Sequence, residues 1–311
     1  MQYGSGEHRY ELVEQWADVS DGQSFLDVGK VCTDENDDVL VLNRSERPVQ
    51  VFDATGVRQS AWGGDFFSDR PHGMGLGPEG NVYCTDDGNH TVRKFTKEGK
   101  LLLTLGTENE PSETGVREVP DIYERLASIG RGAGPFNGPT DVTVFDSGEL
   151  FVTDGYGNAR VHAFSPEGEL LQSWGEPGAH PGAFRVPHAI ESDDENRLWV
   201  ADRENSRIQI FDADGAFITE WIDLVRPTDL AIDGDTVFVT ELAKRLSVFT
   251  IDGELLARWG NERQSKDDPL FLAPHTVAVD SNGDLYVGEV AYTYENIDRG
   301  PRAIQKFERI A

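Results

Sequence analysis

One four-strand unit recurs along this chain, and that recurrence constrains the fold more than any other feature. Its clearest copy is Phe184 to Phe211, FRVPHAIESDDENRLWVADRENSRIQIF. PHAIES reads as a strand opened by Pro187. LWVAD reads as a second, apolar strand, and RIQIF as a third with alternating apolar residues. DDENR and RENS supply the turns, and AFITEW follows as a fourth strand after DADG. A lone meander of this kind cannot bury its faces, so it needs copies of itself.

Five further copies open at Asp27, Pro71, Pro139, Pro227 and Pro274. A turn of the D-x-x-G kind, carrying Asp, Gly or both, lies between the first two strands of each. Most close the third strand on V/I-x-x-F and place D-G or E-G before the fourth. Such a period means a radial array or a solenoid. The ends choose between them. The sixth unit stops after its third strand, at Phe307–Ile310, while an unpaired strand-like piece, Tyr10–Trp16 (YELVEQW), sits near the N-terminus. If that piece completes the last unit, the ring closes and no edge strand stays exposed. The expectation is an all-β, six-bladed β-propeller forming a single domain over residues 1–311. Ring closure leaves no edge that demands a partner, so a monomer is expected.

Two stretches interrupt the rhythm. Residues 107–137 lie between the second and third units and contain a helix-like piece, DIYERLASIG. Residues 292–301 lie inside the sixth unit. Long connections in compact domains are often binding loops, and both are expected over the mouth of the channel.

The 311 residues carry a net charge of −28, with 21 Arg against 7 Lys among the cations. An acidic surface argues against nucleic acid and against anionic membranes as partners. No apolar run reaches membrane-spanning length, and MQYGSGEHRYE has no apolar leader core, so no secretory signal is read here. Cys32 and Cys84 each fall inside a strand-like segment and read as small buried hydrophobes, not as a disulfide framework. A cytoplasmic protein is expected.

The first strand of each propeller blade lines the central channel. The residue after each opening proline therefore sits at one end of it. From the second unit onward this position reads His72, Thr140, His188, Thr228, His275. Histidine takes every second blade, so the phase brings three imidazoles together near the axis. Three neutral imidazoles with an open fourth position are how a catalytic zinc ion is held, and other divalent transition metals suit the same ligands. His8, His90, His162 and His180 share no such phase and read as ordinary histidines.

The order P-H-G…G-N-V-Y-C-T-D, F-V-T-D-G-Y-G-N-A-R, F-R-V-P-H…V-A-D-R-E-N-S-R-I-Q-I-F and P-H…D-L-Y-V-G spans nearly the whole chain. It resembles the lyase domain of the peptide-amidating enzymes, the peptidylglycine α-hydroxyglycine amidating lyases, a family of six-bladed propellers of the NHL-repeat type. The resemblance implies zinc on His72, His188 and His275 and a catalytic tyrosine at Tyr156. It also implies catalytic arginines at Arg44 and Arg203, and cleavage of an α-hydroxy-amide C–N bond to an amide and an aldehyde such as glyoxylate. Arg44 or Arg203 would pair with a substrate carboxylate, whereas Arg160 and Arg207 read as structural bridges. The chain departs from the family at three points. Gly157 follows Tyr156 where secreted members hold cysteines. Thr276 replaces the Asp of P-H-D, which argues against a structural calcium. Ala273 replaces a methionine. No monooxygenase domain accompanies the repeats in these 311 residues, so a small-molecule or short peptide-like substrate is expected.

Two other functions fit the same residues. A metal-dependent hydrolase or hydratase would want an acid–base carboxylate near the metal, with Glu289 or Glu241 as candidates. A non-catalytic NHL-type scaffold is the third reading, since propellers host many functions.

Overall fold

Each repeat folds as its own antiparallel sheet. The computed structural model describes residues 2–19, 24–260 and 269–310. It contains six sheets, five of four strands and one of five, which are the blades of a six-bladed β-propeller. The second strands, such as Leu150–Asp154 (LFVTD) and Leu198–Asp202 (LWVAD), are buried along their whole length. Their β-branched and aromatic residues suit a strand covered on both faces. The fourth strands, such as Phe217–Trp221, are largely exposed.

The chain divides into two compact units. Residues 67–226 hold blades two to four, whose innermost strands are Pro71–Leu76, Pro139–Val144 and Pro187–Ser192. Their core consists of apolar layers between neighbouring blades. One gathers Tyr83, Phe136, Val152 and Phe164, and the next Phe151, Phe184, Val200 and Phe211. Residues 1–66 and 227–311 hold blades five, six and one, with innermost strands Pro227–Asp233, Pro274–Val279 and Val28–Thr33.

Closure by the N-terminal strand is as expected, with a shift. His8–Val13 pairs antiparallel with Ile304–Arg309 and completes blade six. A further strand, Gln2–Ser5, pairs with it and extends that sheet to five; the sequence reading missed it. Trp16, expected at the end of the strand, lies beyond it and packs its ring against Tyr286 and Phe52. Tyr10 is fully buried and stacks on Trp259 with ring centroids 5.5 Å apart.

The last residue of each second strand is polar and buried: Asn43, Asp86, Asp154, Asp202, Glu241 and Glu289. In four blades its carboxylate accepts from the backbone just before the innermost strand. The donors are Ser68 N, Asn137 N, Arg185 N and Leu272 N. Glu241 instead takes Arg245 and Ser247. Glu289 and Glu241, the carboxylates weighed for a hydrolase, thus hold their own blades together. Burial pushes Glu289 above the usual carboxylate range, against the opposing pull of Arg299 and the N–H groups of Leu272 and Ala273.

Both interruptions contain helix. Residues 107–137 carry helix α1 (Ile122–Ala127), capped by Asp121 accepting from Glu124 N at 2.8 Å. The later one carries helix α2 (Ala291–Glu295). Among the described residues, no helix is long and apolar enough to cross a membrane.

Two stability measurements follow. Tyr10 hydroxyl is buried with no hydrogen-bond partner among the described residues, and burial pushes its pKa up to about 12. Tyr10→Ala should cost about 3–5 kcal/mol in denaturant unfolding, the range for emptying a large aromatic site. Tyr10→Phe should leave stability within about 1 kcal/mol of the parent, because it deletes an unsatisfied group. Burial also pushes Asp202 up to about 6, against Asn205, Arg185 N–H and Arg207. Its folded pKa thus lies above its unfolded value. Its contribution to stability is fully present below about pH 4 and is lost as pH rises through 6. Between pH 5 and 7 the parent should lose about 1 kcal/mol relative to Asp202→Asn.

Candidate functional site

A β-bulge positions every residue that follows an opening position. In blade three, Pro139 faces Asp154 and Asp141 faces Thr153, so Thr140 is the extra residue. The same shift falls on His188, Thr228, His275 and Gly29, and on His72 with Gly73. Bulges re-aim a side chain out of the pleat. Here the re-aimed group reaches the backbone of the next blade. Thr140 Oγ1 donates to Pro187 O at 2.7 Å, and Thr228 Oγ1 to Pro274 O at 3.0 Å.

The histidines use the same contact to set their tautomer. His72 Nδ1 lies 2.7 Å from Thr140 O, and His275 Nδ1 lies 2.8 Å from Gly29 O. A carbonyl only accepts, so Nδ1 carries the proton and Nε2 carries the lone pair. That is the form of imidazole that ligates a metal, and the carbonyl is its orienting partner. His72 and His188, in residues 67–226, and His275, in the other unit, are all buried, and each offers a ring nitrogen as a metal ligand. The donor set, neutral ring nitrogens, fits zinc and similar divalent ions.

Tyr156 sits in a turn that only glycine permits on either side. A Cβ on Gly155 would lie 2.3 Å from Pro187 O, and one on Gly157 2.0 Å from Asn137 Oδ1. The turn is therefore pressed against the start of blade four. The Tyr156 hydroxyl lies 3.1 Å from His72 Nε2 and 3.0 Å from His188 Nε2, and accepts from Arg203 Nη1 at 2.9 Å. Within residues 67–226 the structure thus brings together four residues that the sequence singled out.

Arg203 opens a short 3-10 turn, Arg203–Asn205, and is 2% exposed. Its N–H donates to Val186 O, and its Nε to Glu204 at 2.9 Å. Val186 is held at φ 63, a conformation that a β-branched residue adopts only under constraint. Burial works against the Glu204 carboxylate, but Arg203 and Arg226 hold it below its usual range. Arg203 therefore keeps a fixed charge beside the phenol.

Sequence reasoning missed Arg70. Its guanidinium lies 5.9 Å from the Tyr156 ring centroid, against 5.2 Å for Arg203. Asp87 pairs with it through two oxygens and, over the cost of burial, raises its pKa. The available signal was its position, directly before the Pro71-His72 pair.

Arg44 lies in the unit formed by residues 1–66 and 227–311. Its Nη1 donates to Asp27 at 3.1 Å and to Thr293 at 2.7 Å, which ties it to the start of α2. Arg160 donates to Ser173 O, and Arg207 binds Asp202, Glu220 and two backbone carbonyls; these contacts are structural but stay within one blade and the segment leading into it, not between blades. Thr276, at the position of the family's calcium-holding Asp, accepts from Val31 N at 3.0 Å.

Known proteins are similar in both sequence and fold. The NHL repeat family model matches residues 136–164 and 184–211. Peptidyl-alpha-hydroxyglycine alpha-amidating lyase 1 of Drosophila melanogaster is 34% identical over 76% of this chain, which spans only 46% of that protein's length. Lyase 2 of the same organism is 30% identical, over 91% of this chain and 73% of that protein. The human NHL repeat-containing protein 3 is 31% identical, over 83% of this chain and 72% of that protein. Among solved structures, a streptogramin B lyase superimposes with a TM-score of 0.63 at 15% identity, covering 96% of this chain and 97% of that one. At that identity the likeness concerns the fold alone. The chain belongs to the family of NHL-repeat six-bladed propellers that includes the peptidyl-α-hydroxyglycine α-amidating lyases.

Proposed function

We propose that this protein is a metal-dependent lyase that splits the C–N bond of an α-hydroxy-amide, giving an amide and an aldehyde such as glyoxylate. The observation that carries the reading is the Tyr156 hydroxyl, gathered by His72, His188 and Arg203 at 2.9–3.1 Å. The names of the amidating lyases at 30–34% identity support the same reaction class. His72, His188 and His275 would hold the metal, zinc by preference. What such an ion supplies when bound is Lewis acidity, which makes a hydroxyl group a stronger acid.

The chain's own residues handle the proton. A cationic guanidinium beside a phenol oxygen stabilises its deprotonated form, so Arg203 prepares Tyr156 to accept the proton of the substrate's α-hydroxyl. The hydroxyl oxygen becomes the aldehyde oxygen as the C–N bond breaks, and the bonding pair goes to the amide nitrogen. Tyr156 then returns the proton to that nitrogen, so the step balances without an added reactant. Arg44 or Arg203 would meet the substrate carboxylate. Glu289 and Glu241 are engaged in holding their blades, which favours the lyase over the hydrolase.

Elemental analysis of the purified protein should find about one zinc per chain, lost in His188→Ala. No transition metal in either sample, even after zinc is offered, would leave the scaffold reading in front. With an N-acyl-α-hydroxyglycine, Tyr156→Phe should lower kcat by about 10²-fold or more with little change in KM. Glyoxylate release at the parent rate would remove Tyr156 from the chemistry.

A further inference from the structure

A cavity of about 520 Å³ lies within residues 67–226, between the interruption at 107–137 and blades three and four. Its volume is in the range of small-molecule pockets. Leu126, Ala127 and Ile129 form one wall, and Phe184 and Val186 form part of the other. Glu204 also lines it. Two hydrogen-bonded contacts link this lining residue to the reactive group: Glu204 holds Arg203, and Arg203 holds the Tyr156 hydroxyl.

The interruption is docked onto the Tyr156 turn. Thr114 Oγ1 donates to Gly157 O at 2.6 Å, Ala133 N donates to Asn158 Oδ1, and Asn137 Nδ2 donates back to Ser112 O. The helix between these anchors has no buried residue, and Ile122 and Tyr123 are 43% and 57% exposed. Its apolar side chains therefore contribute nothing to the blade cores, and the wall they make for the cavity is what the anchored segment builds. The polar members of the lining are mostly engaged. Asn158 bonds Ala133 and Asp154, and Glu204 bonds Arg203 and Arg226. Arg185 is exposed, and its guanidinium has no hydrogen bond or ion pair among the described residues. The lining thus offers apolar surface and one available positive charge.

Resting on the lyase reading, we propose that this cavity receives the acyl arm of the α-hydroxy-amide and selects arms that are bulky, apolar and not cationic. An aromatic or branched arm buries apolar area against Leu126, Ile129, Phe184 and Val186, whereas an acetyl group leaves the cavity mostly open. Arg185 repels a cationic arm.

The test uses unreactive ligands that lack the α-hydroxyl, so binding is read without catalysis. Calorimetry on the full chain as purified should show phenylacetylglycine binding about tenfold or more tighter than acetylglycine. 6-Aminohexanoylglycine should gain nothing over acetylglycine. Ala127→Trp, which fills the cavity from an exposed helix position, should abolish the preference, as should Leu126→Glu, which adds a negative charge to its wall. Equal affinities in the parent, absent binding of all three ligands, or a preference that survives both substitutions would overturn the proposal. Turnover of the corresponding α-hydroxy compounds is read separately. Arm preference without glyoxylate release keeps the pocket and removes the lyase reading; glyoxylate release without arm preference does the reverse.

Discussion

The structure depends on a contact that four of the blades make through one bulged residue of the innermost strand. That residue leaves the ladder of its own sheet and hydrogen-bonds the backbone of the following blade. Threonine makes the contact with a hydroxyl, as Thr140 does to Pro187 O. Histidine makes it with Nδ1, as His72 does to Thr140 O and His275 to Gly29 O. One bond therefore does two things. It joins neighbouring blades through a buried carbonyl, and in the histidines it leaves Nε2 as the lone-pair nitrogen. The metal-ligating form of the ring is thus a by-product of blade packing.

Charge around Tyr156 is arranged in pairs. Arg203 faces the phenol, with Glu204 behind it and Arg226 beyond that. Arg70 approaches the ring from elsewhere, with Asp87 behind it. Buried guanidinium groups need partners to be held in place, and bidentate carboxylates orient them as well as compensate them. This gives the arginine-rich, lysine-poor balance of the chain a local meaning at the site, because a planar guanidinium can bond a phenol oxygen and a carboxylate at once.

The interruption at 107–137 is equally tied to this centre. Its two ends bond the turn that carries Tyr156, and its helix walls the neighbouring cavity. Gly155 and Gly157 keep that turn flush with blade four, since a side chain on either would collide with Pro187 or Asn137. The segment that shapes the pocket and the Tyr156 turn are therefore positioned by the same few hydrogen bonds.

Tyr156 and Arg203 were singled out only by resemblance to the family; the sequence by itself determined the six repeats, the strand that completes the last blade and the alternation of histidine with threonine. These were legible because strand alternation, turn residues and the repeat period are local patterns that survive without coordinates. It placed the N-terminal strand slightly late and missed its hairpin partner Gln2–Ser5, a short polar stretch with little apolar pattern. Only the tertiary structure decided the histidine tautomers, the second guanidinium at Arg70, the loop-holding duty of Glu289, and the cavity beside Glu204. Each depends on which groups of a separate segment come within hydrogen-bond reach. His72 meets a carbonyl 68 residues away, and no pattern internal to either strand records that approach.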